Sequence, residues 1–217
     1  MRLGLLGGTF DPPHIGHLIA AQDALQVLAL ERIALVLAAT PPHKQDRRVS
    51  AVHHRLAMLR LACADDPRFS LETVELERTG PSYTVDTLRA VAARGHRLFL
   101  LIGTDQYAEF DTWRDPPGVR RLATIGVMRR ASEEAAAAAA VDDVGYLPIL
   151  DVPVTRVDVS STMVRDAVAG GRSIRYLVPP AVEAYIREHH LYDRGAETPL
   201  RAEGTLRDGH SSLNDRR

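Results

Sequence analysis

The sequence predicts an α/β protein with a doubly wound parallel sheet, folded as a single domain. Short apolar runs of strand length alternate with longer amphipathic segments along most of the chain, which is typical of parallel strands joined by crossover helices. The length of 217 residues and the 45% share of hydrophobic residues suit one hydrophobic core. The expected fold is therefore Rossmann-like, with ligands at the carboxyl ends of the strands.

The first half of the chain predicts three strands and three helices in alternation. "RLGLLGG" (2–8) indicates a buried strand, and "HIGHLIAAQDALQVLAL" (14–30) has the apolar spacing of a helix. "RIALVLAAT" (32–40) and "RFSLETVEL" (68–76) predict two more strands. The segment between them predicts a helix with Ser50 as its cap, and "YTVDTLRAVAARG" predicts a helix ending at Gly95.

The second half continues the alternation before becoming polar. Strands are expected at 97–103 and 122–130, and helices at 160–171 and 180–192. The alanine-rich segment 131–145 predicts a surface helix or insertion without chemistry. Residues 1–192 are expected to form the domain, and the polar residues 193–217, which lack apolar periodicity, to form a disordered tail.

Charge and composition argue against two classes of partner. Lys and Arg number 27 against 28 for Asp and Glu, so the formal charge of −1 predicts no basic surface for nucleic acid. No apolar run is long enough for a signal peptide or a membrane span. The single cysteine, Cys63, cannot form an internal disulfide. A cytoplasmic protein is expected, binding neither nucleic acid nor membrane; homo-oligomerisation stays open.

The stretch "GGTFDPPHIGH" combines features that suit a phosphate site. Gly7 and Gly8 fall where a strand meets a helix, and glycine lets backbone amides approach a phosphate closely. His14 and His17, three residues apart, share a face at the helix start, and imidazole can donate to a phosphate oxygen. The stretch therefore predicts a polyphosphate site. We favour this interpretation over an ordinary capped turn and over a zinc site, whose ligand set would be incomplete here.

A second predicted anion site lies in "VSSTMVR". Ser160, Ser161 and Thr162 stand at a helix start with Arg165 one turn in, so hydroxyls, backbone amides and a guanidinium can converge. The alternative is an ordinary cap with a surface arginine. Two anion sites in one Rossmann-like chain suit a triphosphate.

Two residues that occur once each are also candidates. Lys44, the only lysine, follows "PPH", where a compact ammonium would suit a phosphate partner. Chance placement in a polar loop explains this lysine equally well. Trp113, the only tryptophan, lies in a polar, proline-bounded stretch and could stack on a flat heterocycle. Asp105 follows a strand, where an aspartate can either contact a ligand or cap the next helix.

Six motifs together carry a family resemblance. They are "GGTFDPPHIGH", "PPHK", "PSYTVDTL", "IGTDQYAEFDTW", "VSSTMVR" and "YLVPPAVEAYI". With these motifs in this order, the chain resembles, from Met1 to about Tyr192, the bacterial nicotinate mononucleotide adenylyltransferases. These belong to the histidine-x-glycine-histidine nucleotidyltransferase superfamily, which shares that signature with class I aminoacyl-tRNA synthetases. A synthetase itself is disfavoured, because its lysine-rich second signature would need a late lysine.

The resemblance implies an enzyme of NAD biosynthesis that transfers AMP from ATP to nicotinate mononucleotide, giving nicotinate adenine dinucleotide and pyrophosphate. It implies Mg²⁺ arriving with ATP and no metal ligand from the protein. Its site residues here would be His14, His17, Lys44 and Arg165 for catalysis, Gly7, Gly8, Thr9, Phe10, Gly103, Asp105, Ser160, Ser161 and Thr162 for ATP, and Tyr83, Thr84 and Trp113 for nicotinate mononucleotide. Phosphopantetheine adenylyltransferase and a non-catalytic nucleotide-binding regulator are the alternatives.

Overall fold

Strands and helices alternate in the computed structural model, which describes residues 1–39, 49–78, 80–130 and 145–193. The strands are β1 (Arg2–Gly8), β2 (Arg32–Leu37), β3 (Phe69–Glu72), β4 (Arg97–Gly103), β5 (Ala123–Arg130) and β6 (Ile149–Val154). The helices are α1 (Ile15–Val27), α2 (Val52–Cys63), α3 (Thr84–Ala92), α4 (Thr104–Ala108), α5 (Pro116–Leu122), α6 (Ser161–Ala169) and α7 (Pro180–Glu188), with a 3₁₀ turn at Phe110–Thr112.

The strands form one parallel sheet in the order β3-β2-β1-β4-β5-β6. The order grows outward in both directions from the β1 and β4 pair, which confirms the predicted doubly wound fold. Where the winding reverses, the connections leaving β1 and β4 diverge and open a crevice at their carboxyl ends.

Both faces of the sheet are buried, which explains why its strands are continuous apolar runs. Along β4, Leu98, Leu100 and Ile102 pack into a cluster with α3 and α5. The alternate residues Phe99 and Leu101 pack into a second cluster with α1 and α2. The two-residue period of a strand thus divides one apolar run between two cores.

A third apolar cluster attaches the last helices to the sheet domain. Met58 of α2 packs with Val164 of α6 and with Val182 and Ile186 of α7. The Ile15 N–H donates to the Leu177 carbonyl at 2.9 Å, which joins the start of α1 to the segment before α7. This packing brings the start of α6 next to the loop between β1 and α1.

The prediction that Ser50 caps the helix after β2 is wrong. Helix α2 begins at Val52, and Ala51 occupies the cap position without a side-chain cap bond. Ser50 lies one residue before that position, and its own N–H donates to Asp11 Oδ2 at 3.0 Å. Ser50 therefore ties the start of α2 to the loop after β1.

Besides the 3₁₀ turn, three described elements were not predicted. Strand β6 contains Pro153, which obscures a strand pattern but is tolerated at the edge of a sheet. Helices α4 and α5 are short, at five and seven residues, and carry too few turns for a clear apolar period. The predicted alanine-rich segment and polar tail lie outside the described residues, except Gly145 and Asp193. Among the described helices, none is long and apolar enough to cross a bilayer.

Candidate active site

A cavity of about 430 Å³ opens at the carboxyl edge of the sheet, near the ends of β1, β4 and β5. Nine of the predicted site residues line it: Thr9, His14, His17, Gly103, Asp105, Ser160, Ser161, Thr162 and Arg165. These residues come from three separate parts of the chain. The sheet and the third apolar cluster bring them together at the place expected for a ligand in this fold.

His14 and His17 lie at the start of α1, stacked with ring centroids 3.7 Å apart. His14 is the N-cap residue and His17 the third residue of the helix. The His14 backbone N–H donates to His17 Nδ1 at 3.2 Å. Because Nδ1 accepts, a neutral His17 ring carries its proton on Nε2, so its donor is the far side of the ring.

His14 is buried, with 6% of its surface exposed, and burial lowers its pKa to about 4. The charged form is disfavoured because the ring is removed from water. Within the described part of the chain, His14 Nδ1 has no hydrogen-bond partner. A buried ring nitrogen without a partner is unfavourable, so a ligand or water at this atom would be stabilising.

Two glycines make room for side chains around the histidine pair. A Cβ on Gly16 would lie 3.1 Å from His14 Nδ1, so a side chain there would crowd the ring. A Cβ on Gly8 would lie 2.9 Å from the Phe10 ring, which packs edge-on to His17 with centroids 5.0 Å apart. Glycine at these two positions thus allows the close packing that holds both histidine rings.

Three of the predicted ATP contacts do not line the cavity. Gly7 and Gly8 are the last residues of β1, paired with Val36 and Leu37 of β2. The Phe10 side chain is 1% exposed and belongs to the second apolar cluster. The Phe10 ring therefore packs against His17 from the apolar core, and the absence of a side chain at Gly8 leaves room for that ring.

The start of α6 forms the opposite wall of the cavity. Ser160 caps the helix by accepting the Met163 N–H at 3.1 Å, and the Ser161 hydroxyl donates to the Pro12 carbonyl at 2.9 Å. Both hydroxyls therefore have structural partners. The first amides of the helix have no acceptor within the helix, and these are the donors that an anion could use.

Arg165 is held across the same wall by two contacts. Its Nη1 donates to the Asp11 carbonyl at 2.7 Å, and its Nη2 donates to Thr162 Oγ1 at 3.1 Å. These bonds fix the plane of the guanidinium at the cavity. A planar cation with a set orientation suits bidentate binding of phosphate oxygens.

Gly103 and Asp105 line the cavity from the end of β4. Gly103 is the N-cap of α4, and its N–H donates to Gln106 Oε1 at 3.2 Å. Asp105 lies in the first turn of α4 and is exposed. Its carboxylate is accessible to a hydroxyl or amine of a ligand.

The predicted pyridine-binding residues lie outside the cavity lining but close to one another in the fold. Tyr83 is the N-cap of α3 and Thr84 its first residue. Trp113 is half-buried against Phe110, with ring centroids 5.5 Å apart. The neighbouring Arg114 lies 4.4 Å over the Tyr83 ring, which joins the two loops. An aromatic surface of this kind can hold a flat ring.

Comparison with known proteins identifies the relatives of the chain. The model of the cytidylyltransferase-like family matches residues 5–167. A Thermus thermophilus protein named "Probable nicotinate-nucleotide adenylyltransferase" is 44% identical over 88% of this chain and 100% of its own length. A protein of the same name from Roseiflexus sp. is 42% identical over 88% of this chain and 97% of its own.

This chain belongs to the nicotinate-nucleotide adenylyltransferase family. Among solved structures, Plasmodium falciparum nicotinic acid mononucleotide adenylyltransferase complexed with NaAD superimposes with a TM-score of 0.69 at 15% identity, over 88% of this chain and 97% of that one. A second structure of the Plasmodium enzyme, complexed with APC, gives a TM-score of 0.67 at 14% identity and covers 88% and 96%. At this identity the likeness concerns the fold.

One predicted catalytic residue of this adenylyltransferase family member has no described position. Lys44 lies in residues 40–48, outside the described residues. The residues that flank this segment are described, and Val49 lines the cavity. The role of Lys44 stays a prediction.

Three buried or half-buried polar residues at the adenylyltransferase cavity were not predicted, and one of them, Asp11, lines it. Asp11 is 3% exposed, Arg55 is 2% exposed, and Tyr192 bonds to the Asp11 carboxylate. Arg55 donates to the carbonyls of Thr9, Ala38, Ala39 and Ser50. A basic residue inside the apolar period of α2 was the available signal, because an arginine on a buried face needs several acceptors.

Proposed function

We propose that this chain transfers AMP from ATP to nicotinate mononucleotide and releases pyrophosphate and nicotinate adenine dinucleotide. The relatives that define its family are named for this activity. The observation that carries the proposal is the orientation of His17, whose Nδ1 is occupied by a backbone N–H at the edge of the cavity. Its Nε2–H is then a donor for a phosphate oxygen.

The reaction needs positioned phosphates more than it needs a reactive side chain. A phosphate oxygen of the mononucleotide attacks the α-phosphorus of ATP, and the bond from that phosphorus to the bridging oxygen of the β-phosphate breaks. The nucleophile belongs to the substrate, so no covalent enzyme intermediate forms. Rate enhancement then comes from alignment and from stabilising charge on the α-phosphate and on pyrophosphate.

His17 supplies the donor whose bond strengthens as charge develops at the α-phosphate. Its ring is fixed by the His14 backbone and by the edge of Phe10. A donor that is already oriented needs no reorganisation when the reaction occurs. His14, whose lowered pKa keeps it neutral near pH 7, contributes hydrogen-bonding capacity without a charge.

Arg165 and the first amides of α6 receive the remaining phosphate charge. The guanidinium is oriented by the Asp11 carbonyl and Thr162, and the start of α6 opens on the same cavity. The helix dipole favours an anion at this end. Lys44 is proposed to add an ammonium from the segment between β2 and α2.

The loops at Tyr83, Thr84 and Trp113 are proposed to bind the pyridine ring. Trp113 provides a half-buried face, and the backbone amides at the start of α3 provide donors. A carboxylate matches donors better than a carboxamide, whose NH₂ would leave groups unpaired. The acid mononucleotide is therefore the proposed substrate.

Mg²⁺ is proposed to arrive with ATP and to be held by phosphate oxygens and water. Among the described residues, no three His, Cys, Asp or Glu side chains converge on one point. Mg²⁺ commonly keeps several of its waters and binds nucleotide substrates through their phosphates. The ion would neutralise phosphate charge, while the residues above position the reacting atoms.

A cytoplasmic location is proposed with the activity. It rests on the sequence and on the soluble substrates of the reaction.

The test measures pyrophosphate release from ATP and Mg²⁺ with nicotinate mononucleotide, nicotinamide mononucleotide or phosphopantetheine supplied separately. We expect release with the acid mononucleotide to exceed that with the amide by about ten-fold or more, as one unpaired buried group implies. Release only with phosphopantetheine would assign a different acceptor. No release with any acceptor would contradict adenylyl transfer.

A further inference from the structure

Asp11 lines the cavity and connects separated parts of the chain. Its carboxylate accepts the Ser50 N–H at 3.0 Å through Oδ2 and the Tyr192 hydroxyl at 2.6 Å through Oδ1. Its backbone carbonyl accepts Arg165 Nη1 at 2.7 Å. The residue that orients Arg165 is thus itself held by Tyr192 and Ser50.

The surroundings of Asp11 leave its carboxylate few alternatives to this arrangement. The side chain is 3% exposed, so water cannot replace a lost donor easily. Arg55 attracts the carboxylate, but the hydrogen bonds described for its guanidinium go to backbone carbonyls. In the described part of the chain, the Tyr192 hydroxyl is consequently the side-chain group that donates to Asp11 Oδ1.

Tyr192 makes this contact from an unusual backbone conformation. Its φ of 68° lies in the left-handed region, which is unfavourable for a tyrosine. Burial and the neighbouring Asp11 carboxylate both raise the pKa of the Tyr192 hydroxyl, so it stays protonated and donates. Its ring packs against the third apolar cluster, and its hydroxyl also lies 3.9 Å from Met58 Sδ of that cluster.

We propose that Tyr192 is a positioning residue for adenylyl transfer, which fixes Asp11 and through it the Arg165 guanidinium at the phosphate site. Tyr192 does not line the cavity, so it acts through Asp11 and not on substrate. The inference rests on the proposed function. It assigns a role in the reaction to a residue 181 positions away from Asp11 in sequence.

The test replaces Tyr192 by phenylalanine, which keeps the ring and removes the hydroxyl. The matched control is Tyr185→Phe, which removes a hydroxyl bonded to His54 Nδ1 at 3.0 Å on α7. We expect Tyr192→Phe to lower kcat/KM for ATP about ten-fold, with KM for nicotinate mononucleotide within about two-fold of wild type. Tyr185→Phe should leave kcat/KM within about two-fold of wild type.

A double-mutant cycle with Asp11→Ala, which removes the acceptor of the Tyr192 hydroxyl, tests the route of the effect. If Tyr192 acts through Asp11, the double variant should be no more impaired than Asp11→Ala alone. Full additivity, or a Tyr192→Phe enzyme within about two-fold of wild type, would overturn the proposal. A fall in kcat/KM of equal size in both tyrosine variants would overturn it too.

A binding measurement separates this proposal from the proposed function. Calorimetric titration with ATP and Mg²⁺ requires no turnover, and Tyr192→Phe should raise the Kd for ATP several-fold while Tyr185→Phe does not. If wild type showed no turnover, the proposed function would fail, yet this difference in Kd would still support the positioning of Arg165. Equal Kd values in all three proteins would contradict it.

Discussion

His17 shows how much of the proposed chemistry depends on one hydrogen bond. The His14 N–H occupies Nδ1 at 3.2 Å, so the neutral tautomer of His17 presents Nε2–H. The packing of Phe10 against the ring restricts its rotation. The donor is therefore oriented before any substrate binds.

Replacing His17 by alanine should lower kcat far more than it weakens ATP binding. The lost bond is strongest in the transition state, and loss of one such donor typically costs about 2.7–4 kcal/mol, on the order of a hundred- to a thousand-fold in rate. Steady-state pyrophosphate release and calorimetric ATP binding measure the two effects. His96→Ala, at the amino end of β4, is the control, and a His17→Ala enzyme with near-normal turnover would remove this residue from the mechanism.

His14 should make stability depend on pH. Its pKa is lowered to about 4 in the folded protein, so the unfolded chain binds more protons below the ordinary value near 6.5. The free energy of unfolding should therefore fall as pH is lowered from about 6.5 to about 4, by on the order of 3 kcal/mol from this group.

Urea unfolding at a series of pH values measures this dependence. The comparison is wild type against His14→Gln, which keeps a polar side chain that does not titrate, with His96→Gln as the control. The variant at position 14 should show a weaker loss of stability below about pH 6.5. Parallel curves for wild type and His14→Gln would show that His14 is not buried as a neutral ring.

The residue types at the cavity could be predicted, but their partners could not. His14, His17, Ser160 and Arg165 were expected there from local spacing and family motifs. Asp11 and Tyr192 meet across 181 positions, and no periodicity in a single sequence encodes such a pair. Distant polar contacts depend on the packed tertiary structure, which is where sequence patterns lose their information.

Among the elements, buried parallel strands were the easiest to predict. β1, β2, β4 and β5 are continuous apolar runs because helices cover both faces of the sheet. The edge strand β6 carries Pro153 and was missed for that reason. Helix α2 was placed correctly as an element but not in its start, because Ser50 lies one residue before the cap position, where its backbone N–H bonds to the Asp11 carboxylate.

The loops before α3 and after the 3₁₀ turn should determine use of the mononucleotide. Arg114 stacks on Tyr83 and joins these two loops, which places Trp113 beside the start of α3. Trp113→Ala should raise KM for nicotinate mononucleotide about ten-fold, equivalent to about 1.4 kcal/mol, and leave the Kd for ATP nearly unchanged.

Initial-rate kinetics with each substrate varied in turn measure this effect. Tyr146→Ala is a suitable control, since Tyr146 stacks with Arg120 and Arg121 before β6 and does not line the cavity. If the Trp113→Ala enzyme loses ATP affinity but keeps its KM for the mononucleotide, Trp113 serves ATP binding and the prediction is wrong.

In the described part of the chain, the last contacts with the third apolar cluster come just after α7. The sheet carries two apolar clusters, and α2, α6 and α7 enclose a third that extends to Leu191 and Tyr192. The Leu191 N–H bonds to the Ile186 carbonyl at 3.0 Å, and His190 pairs with Asp193 at 3.2 Å. Within the described part of the chain, Tyr192 thus makes the last contact that reaches the residues around the cavity.

Two truncations on either side of this contact should behave differently. Removing residues 194–217 should leave kcat and melting temperature nearly unchanged, because a polar segment without apolar periodicity has little surface to bury against its ordering entropy. Ending the chain after Leu191 removes the Tyr192 ring and hydroxyl, so this truncation should lower both kcat and melting temperature.

Thermal unfolding and pyrophosphate release, measured on both truncated chains and the full chain, test the boundary. If the shorter deletion already lowers activity or stability strongly, the tail packs on the domain; if the longer deletion is harmless, the bond from Tyr192 to Asp11 does not position the site.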